Sequence, residues 1–195
     1  MRVRVMETIV VSPHREAEII SKVENILKKG GVAIVPTDTV YGLICDGLNN
    51  KAKERIYEIK GRPEDKPLIG FVDKIEKIKN FAEVPPEKEK ILKDNWPGAK
   101  TYILKATQEI YLITAKTGKI AFRIPAYDFI IKLSKNFYII ASTSANFSGD
   151  KAPASIEEMP YRLKEMVDVI IDGGKVKGIP SEIWDISGEE PVRIR

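Results

Sequence analysis

Residues 30–46, GGVAIVPTDTVYGLICD, decide how the chain is read. Val32 to Val35 has the unbroken apolar character of a buried strand, and two glycines separate it from what precedes. Pro36, Thr37, Asp38, Thr39 and Tyr41 follow at once, five constrained or hydrogen-bonding residues where a plain turn would do. Pro36 fixes φ and so the direction of exit. Thr37 and Thr39 each bring a hydroxyl that both donates and accepts. Short polar side chains just beyond the carboxyl end of a buried strand are where open α/β sheets receive ligands. Taken alone, PTDT has a plainer account as a Thr/Asp turn that satisfies its own backbone, and Tyr41 as a packed aromatic with its hydroxyl on a neighbour.

Working outward, the hydrophobic periods alternate between helix and strand. Ser12-Pro13 reads as an N-cap and first helical residue, after which Ala17, Ile20, Val23, Ile26 and Leu27 form one apolar stripe that stops at Gly30. Asn50 is placed to cap a second helix carrying Ile56 and Ile59, and Pro63 biases Arg62 out of the helical region, so that helix ends near Lys60. LIGFV follows. Further strands are expected at TYILKA, KIAFRI, FYIIAS, DVIIDG, EIWDIS and PVRIR, with helices near 87–94, 128–135 and 156–166. Many strands and few helices imply a mixed sheet. There is no internal repeat and no linker-like shift in composition, and PPEKEK and SGDKAPAS read as local loops.

Composition sets the outer limits. The chain has 195 residues, 43% of them hydrophobic, enough to bury a sizeable core as a single domain over 1–195. Lys and Arg exceed Asp and Glu by 32 to 28, so the net charge of +4 permits a polyanionic partner without requiring one. The lone Cys45 rules out an internal disulfide framework, and the single His14 leaves no Cys/His cluster for a structural zinc. No apolar run approaches the roughly 20 residues of a membrane span, and MRVRVMETIVV is short and strand-like for a secretory signal. A cytoplasmic protein with no membrane association is expected. Abundant Lys, Glu and Ile suit a heat-adapted source.

Three more segments carry candidate chemistry. IKGRPEDKPL places Lys60 and Arg62 two apart where helix gives way to extended chain, so both cations can point to one side and grip an anion; a solvated turn is the alternative. IAFRIP puts Arg123 inside an apolar strand, where a charge is costly unless a bound anion or an internal carboxylate pairs with it. IIASTSANFSGD ends a buried strand in Ser142, Thr143, Ser144 and Asn146, a second cluster of hydroxyls and amide at a strand mouth that a cap and turn would also explain. The segments offer two hydroxyl-rich strand ends and three candidate anion-binding cations, with no His or Cys that looks like a nucleophile. PGAKT is not a phosphate-binding P-loop, because Ala99 separates its Gly from its Lys.

PTDTVYGL, KGRPEDKPL, WPGAKTYIL, AFRIP, STSANFSG and PSEIWDISG stand in the order and approximate spacing of the YrdC family, the threonylcarbamoyl-AMP synthases, which the chain resembles over nearly its whole length. The resemblance implies an α/β fold with a twisted, open mixed sheet, flanking helices and a large basic concave cavity. It implies a nucleotidyltransferase that converts L-threonine, bicarbonate and ATP to threonylcarbamoyl-AMP and pyrophosphate. A downstream tRNA threonylcarbamoyl transferase would then modify an adenosine of tRNA.

By the same resemblance, Lys60 and Arg62 match a K-x-R motif and are the expected catalytic pair; with Ser144, Asn146 and, more remotely, Arg193, they would bind ATP. Thr37, Arg123, Ser142 and Ser181 would hold threonine, Arg123 facing its carboxylate. Mg²⁺ would accompany the triphosphate, held by phosphates and water with no dedicated protein ligands. The chemistry asks for groups that gather anions rather than for a nucleophile, since a carbamate oxygen attacks the α-phosphate. Tyr127 and Glu182 depart from the family pattern, at the positions of a His and a Thr. The larger relatives' C-terminal domain is not expected in this sequence. Two other classes remain open: a noncatalytic module binding tRNA or double-stranded RNA, whose salt-sensitive phosphate contacts the cation excess would suit, and a carbamoyl-transfer domain of the hydrogenase-maturation type.

Overall fold

The computed structural model describes residues 7–114 and 116–195; the opening MRVRVM lies outside the described residues. The strands are β1 (Glu7–Val10), β2 (Ala33–Val35), β3 (Gly42–Asp46), β4 (Ile69–Phe71), β5 (Lys100–Lys105), β6 (Lys119–Arg123), β7 (Ile140–Ser144), β8 (Val169–Asp172), β9 (Glu182–Asp185) and β10 (Val192–Arg193). The helices are α1 (Glu16–Lys28), α2 (Asn50–Lys60), α3 (Ile75–Ile78), α4 (Pro86–Asn95), α5 (Asp128–Ser134) and α6 (Tyr161–Glu165). Among the described residues ten strands join one open sheet in the order β1-β8-β2-β3-β7-β4-β6-β5-β9-β10. Pairing is mixed: β8 is parallel to both β1 and β2, β4 to β6 and β5 to β9, while β3 runs antiparallel to β2 and β7.

Several local expectations differ from the structure. The cap of α2 is Asn49, not Asn50: Asn49 is extended and its side chain accepts from the Ala52 N–H at 3.1 Å, whereas Asn50 is already helical. Ser12 makes no capping bond; Pro13–Arg15 forms a 3-10 turn and α1 begins at Glu16. The helix expected over 156–166 is only Tyr161–Glu165, because Pro160, at φ −56° and ψ 135°, is not helical and the helix begins after it. Gly42–Asp46, not anticipated as a strand, pairs with β7 along its whole length, Gly42 opposite Ser144 and Asp46 opposite Ile140.

Pleating sends alternate residues of each strand to opposite faces. One face carries Ile34, Leu43, Tyr102, Leu104, Ile120 and Phe122, which share one core cluster with Ala52, Ile56 and Ile59 of α2, the helix lying against β3. The other carries Ala33, Val35, Ile44, Ile140, Val169 and Ile171, over which lie α1, through Ile19, Val23 and Leu27, and α5, through Phe129, Ile130 and Leu133. Each of these large aliphatic or aromatic side chains contributes about 1.5–3 kcal/mol when taken fully from water. Gly42, Ser142, Phe71, Ala121, Arg123, Thr101 and Ile103 continue that second face by the same alternation, and there they line a cavity, Phe71 at its border also belonging to the packed cluster. Among the described residues no helix is long and apolar enough to cross a membrane.

Candidate active site

The cavity has a volume of about 660 Å³, within the usual range for small-molecule sites. Its floor is the bare part of the sheet face, and its walls are the loops following β2, α2 and β7 together with the stretch from Pro180 to Ile183 and the last two residues, Ile194 and Arg195. Arg62, Lys66, Arg123, Lys151 and Arg195 reach it against the carboxylates Asp65 and Asp150. The concavity is therefore basic, as the family resemblance implied.

At one corner the β2–β3 connection meets the end of β6. Thr37 Oγ1 donates to Val40 O at 2.7 Å and accepts from Thr39 N–H at 3.1 Å, so PTDT does satisfy itself as a turn while both hydroxyls stand at the cavity wall. The two Thr hydroxyls are 2.9 Å apart. Arg123 is only 3% exposed. Its Nη2 pairs with Asp38, its Nη1 donates to Thr39 Oγ1 at 2.9 Å and its Nε to Gly98 O at 2.9 Å. The internal carboxylate left open by the sequence is thus Asp38, and the loop PGAKT serves Arg123 through a carbonyl. Burial pulls the Arg123 guanidinium down, while Asp38 pulls it back up.

At the opposite corner the end of α2 meets the end of β7. Gly61 takes the left-handed conformation at φ 57°, its N–H bonds Glu58 O, and the Arg62 N–H bonds Tyr57 O at 3.1 Å. That is a Schellman motif, and it directs the chain after Lys60 along the cavity wall. Lys60 is 3% exposed and lies beneath the wall. Its Nζ donates to Ser144 O at 2.7 Å, Asn146 O at 2.8 Å and Asn146 Oδ1 at 2.9 Å. Ser144 Oγ donates to the same Oδ1 at 2.5 Å, and Asn146 Nδ2 to Asp150 O at 2.6 Å. Lys60 therefore fixes the Ser144–Asn146 turn from below. Burial, assisted by the positive charge of Arg62, brings the Lys60 ammonium down to about 7. Its three oxygen partners match the three N–H groups of an ammonium and favour the protonated form. Arg62 reaches the cavity itself, with Nε on Lys66 O at 3.1 Å, Nη2 on Pro67 O at 3.1 Å and Nη1 on Thr143 Oγ1 at 3.3 Å.

Thr37, Arg62, Arg123, Ser142, Ser144, Asn146 and Ser181 of the sequence-derived set thus line one cavity, with Lys60 just behind its wall. Ser181 Oγ is 2.9 Å from Thr101 Oγ1 on the floor. Arg193 is not among the lining residues; it is exposed and pairs with Glu182 at 3.3 Å, while Arg195 lines the cavity and donates to Ser181 O. Sequence reasoning did not single out Asp38 as a partner, nor Lys66, Thr101, Lys151 or Arg195. Lys66 had a signal, lying in the same charged loop as Lys60 and Arg62. Asp38 lies 85 residues from Arg123 in the chain and had none. Tyr127, one of the departures noted above, lies outside the lining, and a side chain at Gly173 would run into its hydroxyl.

In sequence and fold the chain is similar to known proteins. A family model described as "Telomere recombination", covering Sua5, YciO and YrdC, matches residues 25–195. Threonylcarbamoyl-AMP synthase of Pyrococcus abyssi is 35% identical over 173 residues, which are 87% of this chain and 51% of that protein. A putative threonylcarbamoyl-AMP synthase of Methanocaldococcus jannaschii is 37% identical over 179 residues, 89% of this chain and 85% of that one. The crystal structure of P. abyssi Sua5 complexed with L-threonine aligns with a TM-score of 0.84 at 32% identity, over 98% of this chain and 57% of that chain. The chain spans about half the length of the P. abyssi relative.

Proposed function

The chain belongs to the Sua5/YciO/YrdC family, and on that premise we propose that it makes threonylcarbamoyl-AMP and pyrophosphate from L-threonine, bicarbonate and ATP. The observation that carries the reading is the contrast in charge within the one cavity. The Arg123 corner is neutralised by Asp38, whereas Lys60 and Arg62 contact only carbonyl, amide and hydroxyl oxygens, so that no carboxylate in contact cancels their charge. A zwitterionic amino acid suits the first and a triphosphate the second.

In this proposal threonine lies toward Thr37, Arg123, Ser142 and Ser181. Three of the five N–H groups of Arg123 are committed to protein acceptors, leaving two for the substrate carboxylate. Once the threonine amine has taken up bicarbonate with loss of water, a carbamate oxygen attacks the α-phosphorus and the bond to the β-phosphate oxygen breaks, releasing pyrophosphate. The protein forms no covalent bond. It holds the carbamate and the phosphate in line and meets the charge that develops on the phosphate with Arg62, Ser144, Asn146 and Lys60 behind them. Arg195 replaces Arg193 as the cation near the chain's end in a position to reach the nucleotide.

Mg²⁺ is part of the proposal as the counter-ion of the triphosphate. Among the described residues no group of three or more His, Cys, Asp and Glu is placed to hold a metal, and Asp65 and Asp150 are the carboxylates on the cavity wall. That donor set fits an ion carried by phosphates and water, with Asp65 and Asp150 holding its water shell, and the ion would supply neutralisation of the leaving pyrophosphate. Downstream, a cytoplasmic tRNA threonylcarbamoyl transferase would take the product.

The test is pyrophosphate release and product mass in the purified protein given L-threonine, bicarbonate and Mg²⁺-ATP. Release that requires both threonine and bicarbonate supports the reading. No release, with salt-sensitive binding of tRNA instead, would replace it with the noncatalytic RNA-binding alternative.

A further inference from the structure

We propose that Tyr57 is a positioning residue for the triphosphate side of the cavity, its buried hydroxyl latching the loop that carries Arg62 onto the β5–β6 connection. The proposal rests on the functional reading above and deepens it, because the hydroxyl touches neither substrate nor reacting atoms.

The latch is visible in four contacts. Tyr57, 5% exposed in the last turns of α2, donates from Oη to Lys66 O at 2.5 Å and lies 3.2 Å from Leu112 O. Lys66 O is also the acceptor of Arg62 Nε at 3.1 Å. The hydroxyl and the guanidinium therefore meet on one carbonyl, which fixes where the guanidinium stands. Leu112 O in turn accepts from the Leu68 N–H at 3.0 Å, closing the far end of the same loop. Arg62 is thus tied to Tyr57 twice, through its own N–H on Tyr57 O and through Lys66 O.

The other side of the latch is built with equal care. Leu112 sits at φ 61°, a left-handed conformation uncommon for a branched side chain, and its side chain is buried in the main core. Such a conformation persists where the surroundings over-determine it, and here the Leu112 carbonyl accepts from the Leu68 N–H and lies against the Tyr57 hydroxyl. Desolvation pushes the Tyr57 phenol up to about 12, so it remains a protonated donor across the working range. Without the hydroxyl, Lys66 O keeps Arg62 Nε and Leu112 O keeps the Leu68 N–H, so neither acceptor is orphaned and the fold survives. What is lost is the restraint on the loop.

Tyr57→Phe tests this, with folding checked by thermal unfolding. We expect kcat/KM for ATP to fall roughly tenfold, as for loss of one buried hydrogen bond, with KM for threonine unchanged, and amide exchange of the 62–68 segment to quicken. Equal loss toward ATP and threonine would mark a general loosening and overturn the proposal, as would unchanged ATP kinetics. If the wild-type protein releases no pyrophosphate, the functional reading fails separately. The latch is then decided by the exchange of 62–68 and by calorimetric ATP affinity, unchanged values in Tyr57→Phe overturning it.

Discussion

Arg123 and Lys60 are equally buried and lie at two corners of one cavity, yet the protein treats their charges in opposite ways. Arg123 has a carboxylate, Asp38, against its guanidinium. Lys60 has three neutral oxygens, and its neighbour Arg62 two carbonyls and a hydroxyl. A buried ion pair contributes a defined geometry and little net field, whereas a cation on neutral acceptors has no counter-charge in contact, and here Arg62 further depresses the proton affinity that burial has already lowered at Lys60. The first arrangement is ready before a ligand arrives. The second remains electrostatically incomplete until an anion arrives, which is the property a triphosphate site needs.

The comparison is broken most forcefully at Asp38. Asp38→Asn strands Arg123 as an unpaired buried charge, and a loss of about 3–5 kcal/mol in unfolding free energy is expected, read from denaturant titration. A loss under about 1 kcal/mol, the range of exposed pairs, would mean that the pair is not the structural anchor described. At the other corner, Lys60→Met keeps the aliphatic stem and removes the charge. Turnover in threonine-dependent pyrophosphate release is expected to fall roughly 10²-fold with the far-UV circular dichroism spectrum unchanged; wild-type turnover would remove Lys60 from the phosphate side.

The same contrast has a pH signature. With Lys60 near 7 when folded and at its ordinary 10.5 when unfolded, the unfolded chain holds a proton the native state has released between those values. The Lys60 contribution to stability therefore rises with pH from about 7 to about 10.5 and is flat below 7. A bound triphosphate pulls the other way, raising the Lys60 value. ATP binding near pH 8 is thus expected to take up a proton, seen as a buffer-dependent enthalpy in titration calorimetry, and Lys60→Met should abolish it. A buffer-independent enthalpy in the wild type would show that Lys60 does not sense the phosphates. The smallest effect belongs outside the cavity. Lys90 and Asp94 pair at 2.5 Å on exposed flanks of α4, and Lys90→Ala should change stability by no more than about 0.5 kcal/mol.

How much of this was legible follows from the range of the interactions. The hydroxyl-rich strand mouths could be read because the transition from apolar run to Thr and Ser is local, and the six motifs in order placed both corners in one family. β3 was missed because Gly42–Asp46 follows directly on the polar PTDT turn and appears as its tail, while its strand character comes from pairing with β2 and β7. The Asn49 cap differs by one residue from the expectation because two asparagines stand side by side and only backbone geometry separates them. Asp38 as the partner of Arg123, and Tyr57 as a latch, depend on contacts across the sheet or between loops, which no spacing records. Arg195 rather than Arg193 reaches the cavity because β10 ends with Arg193 turned to Glu182, a consequence of strand pairing at the sheet's edge.

The most direct test of the two-corner account is a calorimetric titration of ATP and of L-threonine, each separately, into wild-type protein and Arg62→Ala. The account predicts ATP affinity weakened roughly tenfold or more by loss of a charge-assisted contact, with threonine affinity the same in both proteins. ATP affinity unchanged in Arg62→Ala, or threonine affinity falling in step with it, would contradict the division of the cavity into a neutralised and an open cationic corner.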